Sequence, residues 1–275
     1  MSSLKFVYFG CSWTYGKCIS LRPGEVTDSI DFDQERLLTD NKAYRSLIAK
    51  NFNAQQLNLS RPASSNDRQF RYASERYIGV KRANPFYRIS KPDPNVVWLA
   101  DEPVENNEYV IWFITSTARK EFYHANSKEY HNEVLSRTTR SIGKIYATEY
   151  YDHEYELERL SQQITLWNHY FSSIGIKNIW VDTFNHHDYP VHIPNLVRFE
   201  SGFNDLMTNL CIHLGYTPTS VETHTSQFKS TPDDSRSKYL LNLGYLNPTT
   251  LHPTIEAHQI IADLLTPKVK MLLDL

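Results

Sequence analysis

The chain has 275 residues, of which 40% are hydrophobic and 22% are charged, and its formal net charge is −2. This length fits one or two domains, and the near-neutral charge excludes a global basic field that would attract nucleic acid or anionic lipid. Three cysteines, Cys11, Cys18 and Cys211, are too few for a disulfide framework and suit a reducing compartment.

The predicted elements alternate between strands and helices. Apolar, β-prone runs predict strands at about residues 5–9, 56–59, 109–115 and 177–184. Helical spacing predicts helices at about 43–52, 65–77, 152–174, 198–214 and 254–273, and Pro267 should bend or break the last one. The alternation is typical of a parallel sheet with crossover helices, for which we expect the strand order 2-1-3-4. We expect a single domain over residues 1–275, with long loop insertions at about 79–108 and 116–150.

The N-terminus runs directly into an apolar strand and lacks the pattern of a secretory signal. No apolar run approaches the ~20 residues that a membrane span needs. We therefore expect a protein that is cytoplasmic at synthesis and has neither membrane nor nucleic acid among its partners.

Two residues stand where an open α/β sheet collects its chemistry, outside the carboxyl ends of the strands. Ser12 follows the strand-ending Gly10, so its hydroxyl can face a crevice in which nearby N–H groups stabilise an oxyanion. A serine that caps the next helix fits this segment equally well. His252 precedes a proline-started helix, where it can accept the serine proton; a solvated loop histidine is the alternative.

The order of four motifs resembles the SGNH or GDSL hydrolase superfamily. They are GCSWTYG near the N-terminus, NLSxxxSSN after the second strand, TSxxRxE after the third, and LHPTxxAHxxIA before the last helix. The third motif resembles in particular the divergent members found in bacteriophage genomes. The resemblance implies a flavodoxin-like three-layer α/β/α sandwich with a parallel sheet. It also implies a serine esterase or carbohydrate O-deacetylase that acts on a small acyl ester or acylated glycan and uses no metal or other cofactor.

Site residues follow from the resemblance motif by motif. Ser12 corresponds to the nucleophile and His252 to the general base. The oxyanion donors correspond to the backbone N–H of Ser12 and one near Ala63, together with Asn66 and a hydroxyl from Ser116 or its neighbours.

The chain departs from the family pattern where catalysis is sensitive. Thr249 replaces the aspartate three residues before the histidine, so the usual orienter is absent. We expect a substitute from a backbone carbonyl, from Thr249 itself, or from Asp233 or Asp234. Ala63 replaces a glycine, and a hydroxyl replaces an asparagine that donates to the oxyanion. These departures favour the alternative, a weak or inactive protein of this fold used for binding or assembly, for instance in a virion or a homo-oligomer, whereas the retained Ser12, Asn66 and His252 favour the enzyme.

Other chemistry has weaker support. His186, His187 and His192 share one loop, but without a carboxylate at helical spacing they do not predict a zinc site. Cys11 alternates with Ser12 and should face away from the crevice, and no Gly-rich loop supports nucleotide binding. We interpret Arg119 and Glu121 as a salt bridge that shapes the loop after the third strand.

Overall fold

The computed structural model describes residues 4–21, 32–61, 64–79, 103–124, 129–135, 141–218 and 235–275. A four-stranded sheet runs through this part of the chain in the order β2-β1-β3-β6. Its strands are β1 (Lys5–Phe9), β2 (Gln55–Asn58), β3 (Glu108–Ile114) and β6 (Lys177–Asp182). All three pairings are parallel, which confirms the predicted order and directions.

A second, two-stranded sheet is an antiparallel hairpin of β4 (Arg119–His124) and β5 (Glu129–Val134). It lies in the segment 116–150, which the sequence predicted as a loop insertion, so that prediction is wrong for these residues. Polar side chains dominate the hairpin and leave no clean alternation of apolar residues. Ion pairs hold the hairpin against the helix Asn66–Ala73: Glu121 binds Arg71 at 2.6 Å and Arg68 at 3.3 Å.

The helices of the described segments surround the sheet. They are α1 (Ser12–Tyr15), α2 (Phe32–Lys42), α3 (Tyr44–Asn51), α4 (Asn66–Ala73), α5 (Ser141–Ile145), α6 (His153–Ser173), α7 (Leu206–His213), α8 (Ser235–Asn242) and α9 (Ile255–Leu273). Wider π-helical turns extend α4 over Ser74–Ile78 and α5 over Tyr146–Tyr150. No helix in the described part of the chain is long and apolar enough to cross a membrane.

Alternating residues of the buried strands divide the core into two layers. Phe6 and Tyr8 of β1 point into one layer, which α3, α7, α8 and α9 cover, and Val7 and Phe9 point into the other, which α4 and α6 cover. Strands that are apolar on both faces require helices on both sides. The predicted three-layer α/β/α sandwich is therefore confirmed, whereas the single-domain organisation stays a prediction.

Three helix predictions need correction. The helix predicted at 198–214 begins only at Leu206, because Asp205 caps it by accepting the backbone N–H of Thr208 at 2.8 Å. Of the predicted bend or break at Pro267, the break does not occur, because the last helix continues through Pro267 to Leu273. Helix α2 lies in a segment read as a loop, because its charged sequence has no regular apolar stripe.

Candidate active site

The segment after β1 turns sharply into α1, and the turn depends on Gly10. A Cβ at this position would lie 2.2 Å from Oγ1 of Thr14, well inside van der Waals contact. The glycine therefore lets α1 fold back against the end of β1 and makes Ser12 its first residue. Ser12 is 8% exposed, and its hydroxyl makes no hydrogen bond to any residue that the structure describes. Cys11 is fully buried in the core layer beneath α9, as its alternation with Ser12 predicts.

The loop before α9 is closed by one side chain, Asn247, which is 2% exposed. Its Oδ1 accepts the backbone N–H groups of Thr249 at 2.9 Å and Thr250 at 3.1 Å. The backbone N–H of Asn247 donates to the carbonyl of His252 at 2.9 Å, and the backbone carbonyl of Asn247 accepts the N–H of Leu251 at 2.8 Å. Residues 247–252 therefore form a closed backbone loop that fixes the main chain at His252.

A long-range contact joins the two segments. The indole Nε1 of Trp13, directly after Ser12, donates to the carbonyl of Leu251, directly before His252, at 3.2 Å. Leu251 has a φ of 57°, in the left-handed region that a branched side chain rarely adopts. Backbone strain of this kind persists where surrounding contacts enforce it, and the bonds from Trp13 and Asn247 supply those contacts.

The His252 imidazole is neutral at ordinary pH. Burial lowers its pKa to about 4, the positive charges of Lys17 and Arg119 act in the same direction, and the Thr250 backbone opposes them. Its Nδ1 is buried and has no hydrogen-bond partner among the described residues. No hydrogen bond joins its ring to Ser12. A neutral ring can accept a proton, but no acid in the described segments orients it.

The predicted substitutes for the missing acid have different outcomes. Thr249 is exposed, and it binds Asn247 through its backbone N–H rather than through its side chain. Asp233 and Asp234 lie outside the described residues, as does Ala63. The backbone of Thr250 interacts with the imidazole of His252 and raises its pKa, so it is the one predicted kind of substitute that the described residues supply. The sequence signal for Asn247 was available but was not used: an Asn-Pro pair often begins a turn.

Asn66 joins α4 to the end of β3. Its Nδ2 donates to the Thr115 carbonyl at 2.9 Å, and its Oδ1 accepts the Thr115 N–H at 2.9 Å. Ser116 is buried beside this clamp, and its hydroxyl accepts the N–H of Ala118 at 3.2 Å. Asn66 therefore positions the strand end where the sequence predicts oxyanion donors; the donor roles of Asn66, Ser116 and Ser12 stay predictions.

The three histidines after β6 lie in different surroundings. His186 accepts the N–H of Asn204 at 3.0 Å, and His187 is buried, which lowers its pKa to about 3. His192 is exposed. No group of three or more metal-ligating side chains occurs within the described ranges.

Arg119 does not pair with Glu121, so the predicted salt bridge is wrong. Glu121 faces α4 and binds Arg68 and Arg71, whereas the Arg119 guanidinium lies 5.3 Å above the ring of Phe184. Phe184 follows β6, and its ring packs edge-on against Trp13 at 5.0 Å between centroids. Arg119 therefore belongs to the group of side chains around Trp13 and His252.

No protein-family model and no curated protein sequence matches the chain. Its neighbours among solved structures include carbohydrate esterases and lipolytic G-D-S-L proteins. An acetyl xylan esterase (Est2A) from Butyrivibrio proteoclasticus has a TM-score of 0.48 and 13% identity, with coverage of 100% of this chain and 65% of that one. A family two carbohydrate esterase from Cellvibrio japonicus has a TM-score of 0.44 and 13% identity, with coverage of 98% and 62%.

A member of the lipolytic G-D-S-L family from Veillonella parvula has a TM-score of 0.38 and 10% identity, with coverage of 96% of this chain and 97% of that one. The chain spans less than two thirds of the length of the Butyrivibrio and Cellvibrio esterases. Likeness at this level identifies no family for the chain.

Proposed function

We propose that the chain hydrolyses an acyl ester, either a simple ester or an O-acylated glycan, with Ser12 as nucleophile and His252 as general base. The observation that carries this proposal is the hydrogen bond between Trp13 and Leu251, which joins the segments that hold the two residues. Both segments lie at the carboxyl edge of the sheet, where open α/β folds bind their ligands. The Ser12 hydroxyl, which makes no hydrogen bond to the described residues, and the neutral His252 ring supply the groups that the reaction needs.

The reaction follows from these groups. Ser12 Oγ attacks the carbonyl carbon while His252 takes the hydroxyl proton, and nearby N–H groups hold the oxyanion. The ester C–O bond then breaks, and His252 returns the proton to the departing alkoxide. Water attacks the acyl-serine by the same route, which releases the acid and restores Ser12. Because the pKa of His252 is about 4, kcat/KM should rise through pH 4 and then level off.

The test is hydrolysis of 4-nitrophenyl acetate by the full chain. Ser12→Ala and His252→Ala should each abolish turnover to a similar extent, because nucleophile and base act as one unit. His192→Ala is the matched control, since this histidine is exposed and has no proposed part in the reaction, and it should leave the rate unchanged. A fluorophosphonate probe should add its mass to Ser12 in the wild type. Labelling elsewhere, or full activity in Ser12→Ala, would contradict the proposal.

A second candidate function is binding or assembly without catalysis, as in a virion component or a homo-oligomer. It is favoured by the lack of a carboxylate at His252 Nδ1 among the described residues, because an acid usually orients the base there. Thr249→Asp separates the two functions. A rise in turnover would show that only the orienter is missing. If wild type and Thr249→Asp are both inert, the inactive scaffold is supported, and the segments at 79–108 and 116–150 become the expected binding surface.

A further inference from the structure

A small pocket lies beside the candidate site, between α4, the turn after β3, and α6. Its mouth opens to solvent. Its apolar wall comes from Phe70 and Leu160, and its uncharged polar groups come from Thr117 and Gln163. Arg119 lines the same pocket, as does Asn66, whose clamp holds the end of β3. The pocket therefore adjoins the sheet edge where the proposed reaction takes place.

Charges in the pocket do not balance. Lys120 pairs with Glu156, and Arg159 pairs with Asp67 at 2.7 Å and with Glu156 at 3.3 Å. These contacts satisfy both carboxylates of the pocket. Arg119 is the further cation, and it forms no ion pair with any acid in the described segments. Three cations thus face two carboxylates, and the excess positive charge lies on Arg119.

Arg119 is held in place and faces the candidate site. Its guanidinium stacks on Phe184, whose ring packs against Trp13, and stacking of this kind orients the planar group. Its charge also lowers the pKa of His252, so the two groups share one electrostatic environment. An anion bound by Arg119 would therefore also act electrostatically on His252.

We propose that Arg119 is a specificity residue that binds an anionic group of the substrate, so that the chain acts on acyl esters which also carry a carboxylate or a phosphate. An O-acylated acidic sugar is the model compound. The planar guanidinium binds either anion through two parallel N–H bonds, and the amide and hydroxyl at the open mouth of the pocket can bind hydroxyl groups of a sugar. The inference rests on the proposed function for its chemical step, but the binding step can be tested alone.

Binding is tested with Ser12→Ala, whose His252 ring is followed by NMR during a pH titration. Glucuronate and glucose 6-phosphate distinguish the carboxylate from the phosphate, and glucose is the neutral control. The bound anion should raise the pKa of His252 by offsetting the charge of Arg119, and glucose should not. In the Ser12→Ala background, the second substitution Arg119→Gln should remove the response. The control Arg36→Gln, at an exposed position on α2, should keep it. Equal responses to glucose and to both acids, or an unchanged response in Arg119→Gln, would overturn the inference.

Turnover is tested by acetate release from acetylated glucuronic acid and acetylated glucose. Arg119→Gln should lower kcat/KM for the acidic ester by about 10- to 100-fold, the usual range for losing a charge-assisted hydrogen bond, with a smaller effect on the neutral ester. Arg119→Lys should restore part of the loss. An equal fall for both esters would assign Arg119 a structural role and overturn the inference. If the wild type hydrolyses neither ester, the proposed function fails, and the binding result still decides the role of Arg119.

Discussion

Asn247 should be the side chain on which the position of His252 depends most. The substitution Asn247→Ala removes the Oδ1 that accepts the N–H groups of Thr249 and Thr250. Each such bond contributes about 1 kcal/mol net, and a buried N–H left unpaired costs about 1–3 kcal/mol. Thr249 is exposed and its N–H can bind water, whereas Thr250 is half-buried. We therefore expect the free energy of unfolding to fall by about 2 kcal/mol.

The assay combines chemical denaturation with turnover of 4-nitrophenyl acetate. Asn247→Asp is the matched control, because a carboxylate accepts the same two N–H groups, and it should restore both stability and rate. In Asn247→Ala the loss should fall on kcat rather than on KM, since the base is misplaced while the binding surface is intact. Wild-type stability and kcat in Asn247→Ala would refute the reasoning. Loss of stability with unchanged kcat would leave the loop a structural role alone.

Three further predictions concern stability. Gly10→Ala should destabilise the fold by roughly 1–3 kcal/mol or more in chemical denaturation, since its Cβ collides with Thr14. Glu108→Gln breaks an ion pair with Arg76 in which both side chains are fully buried, and should cost about 3–5 kcal/mol in the same measurement. Burial lowers the pKa of His258 to about 3, below its unfolded value, so the stability it contributes is present above pH 6.5 and is lost as the pH falls. His258→Asn should reduce the pH dependence of unfolding below pH 6 by about 1.4 kcal/mol per pH unit; an unchanged slope would contradict it.

The sheet could be predicted from the sequence because its strands are buried on both faces. Such strands form continuous apolar runs, and right-handed crossover connections then restrict the strand order. The hairpin β4–β5 could not, because the ion pairs of Glu121 with α4 stabilise it, and contacts between distant segments leave no periodic pattern. Helix α8, over Ser235–Asn242, was missed for the same reason: its buried Arg236 is held by Asp205 and by the carbonyl of Phe184.

The candidate site, too, could be predicted from the sequence only in part. Ser12 and His252 could be selected because each stands beside a strand end or a helix start, where local sequence shows it. The contact between Trp13 and Leu251 joins residues far apart in the chain, and no local pattern contains it. The position of Arg119 over Phe184 likewise depends on the packing of two loops. Local sequence thus predicted the candidate reacting groups, and the tertiary structure shows what surrounds them.

Among the described residues, no acid orients His252 and no acid pairs with Arg119, and these two features have a common electrostatic consequence. In the proposed reaction His252 becomes positively charged, and Lys17 and Arg119 both oppose that charge. The aspartate of the SGNH hydrolase pattern would offset them, but Thr249 is the residue at that position of this chain. A substrate that carries an anion would supply the same counter-charge. The effects on kcat/KM of an aspartate at position 249 and of a substrate anion should therefore not add. Thr249→Asp should therefore raise kcat/KM more for acetylated glucose than for acetylated glucuronic acid. Equal gains for the two esters would show that the substrate anion does not act on His252.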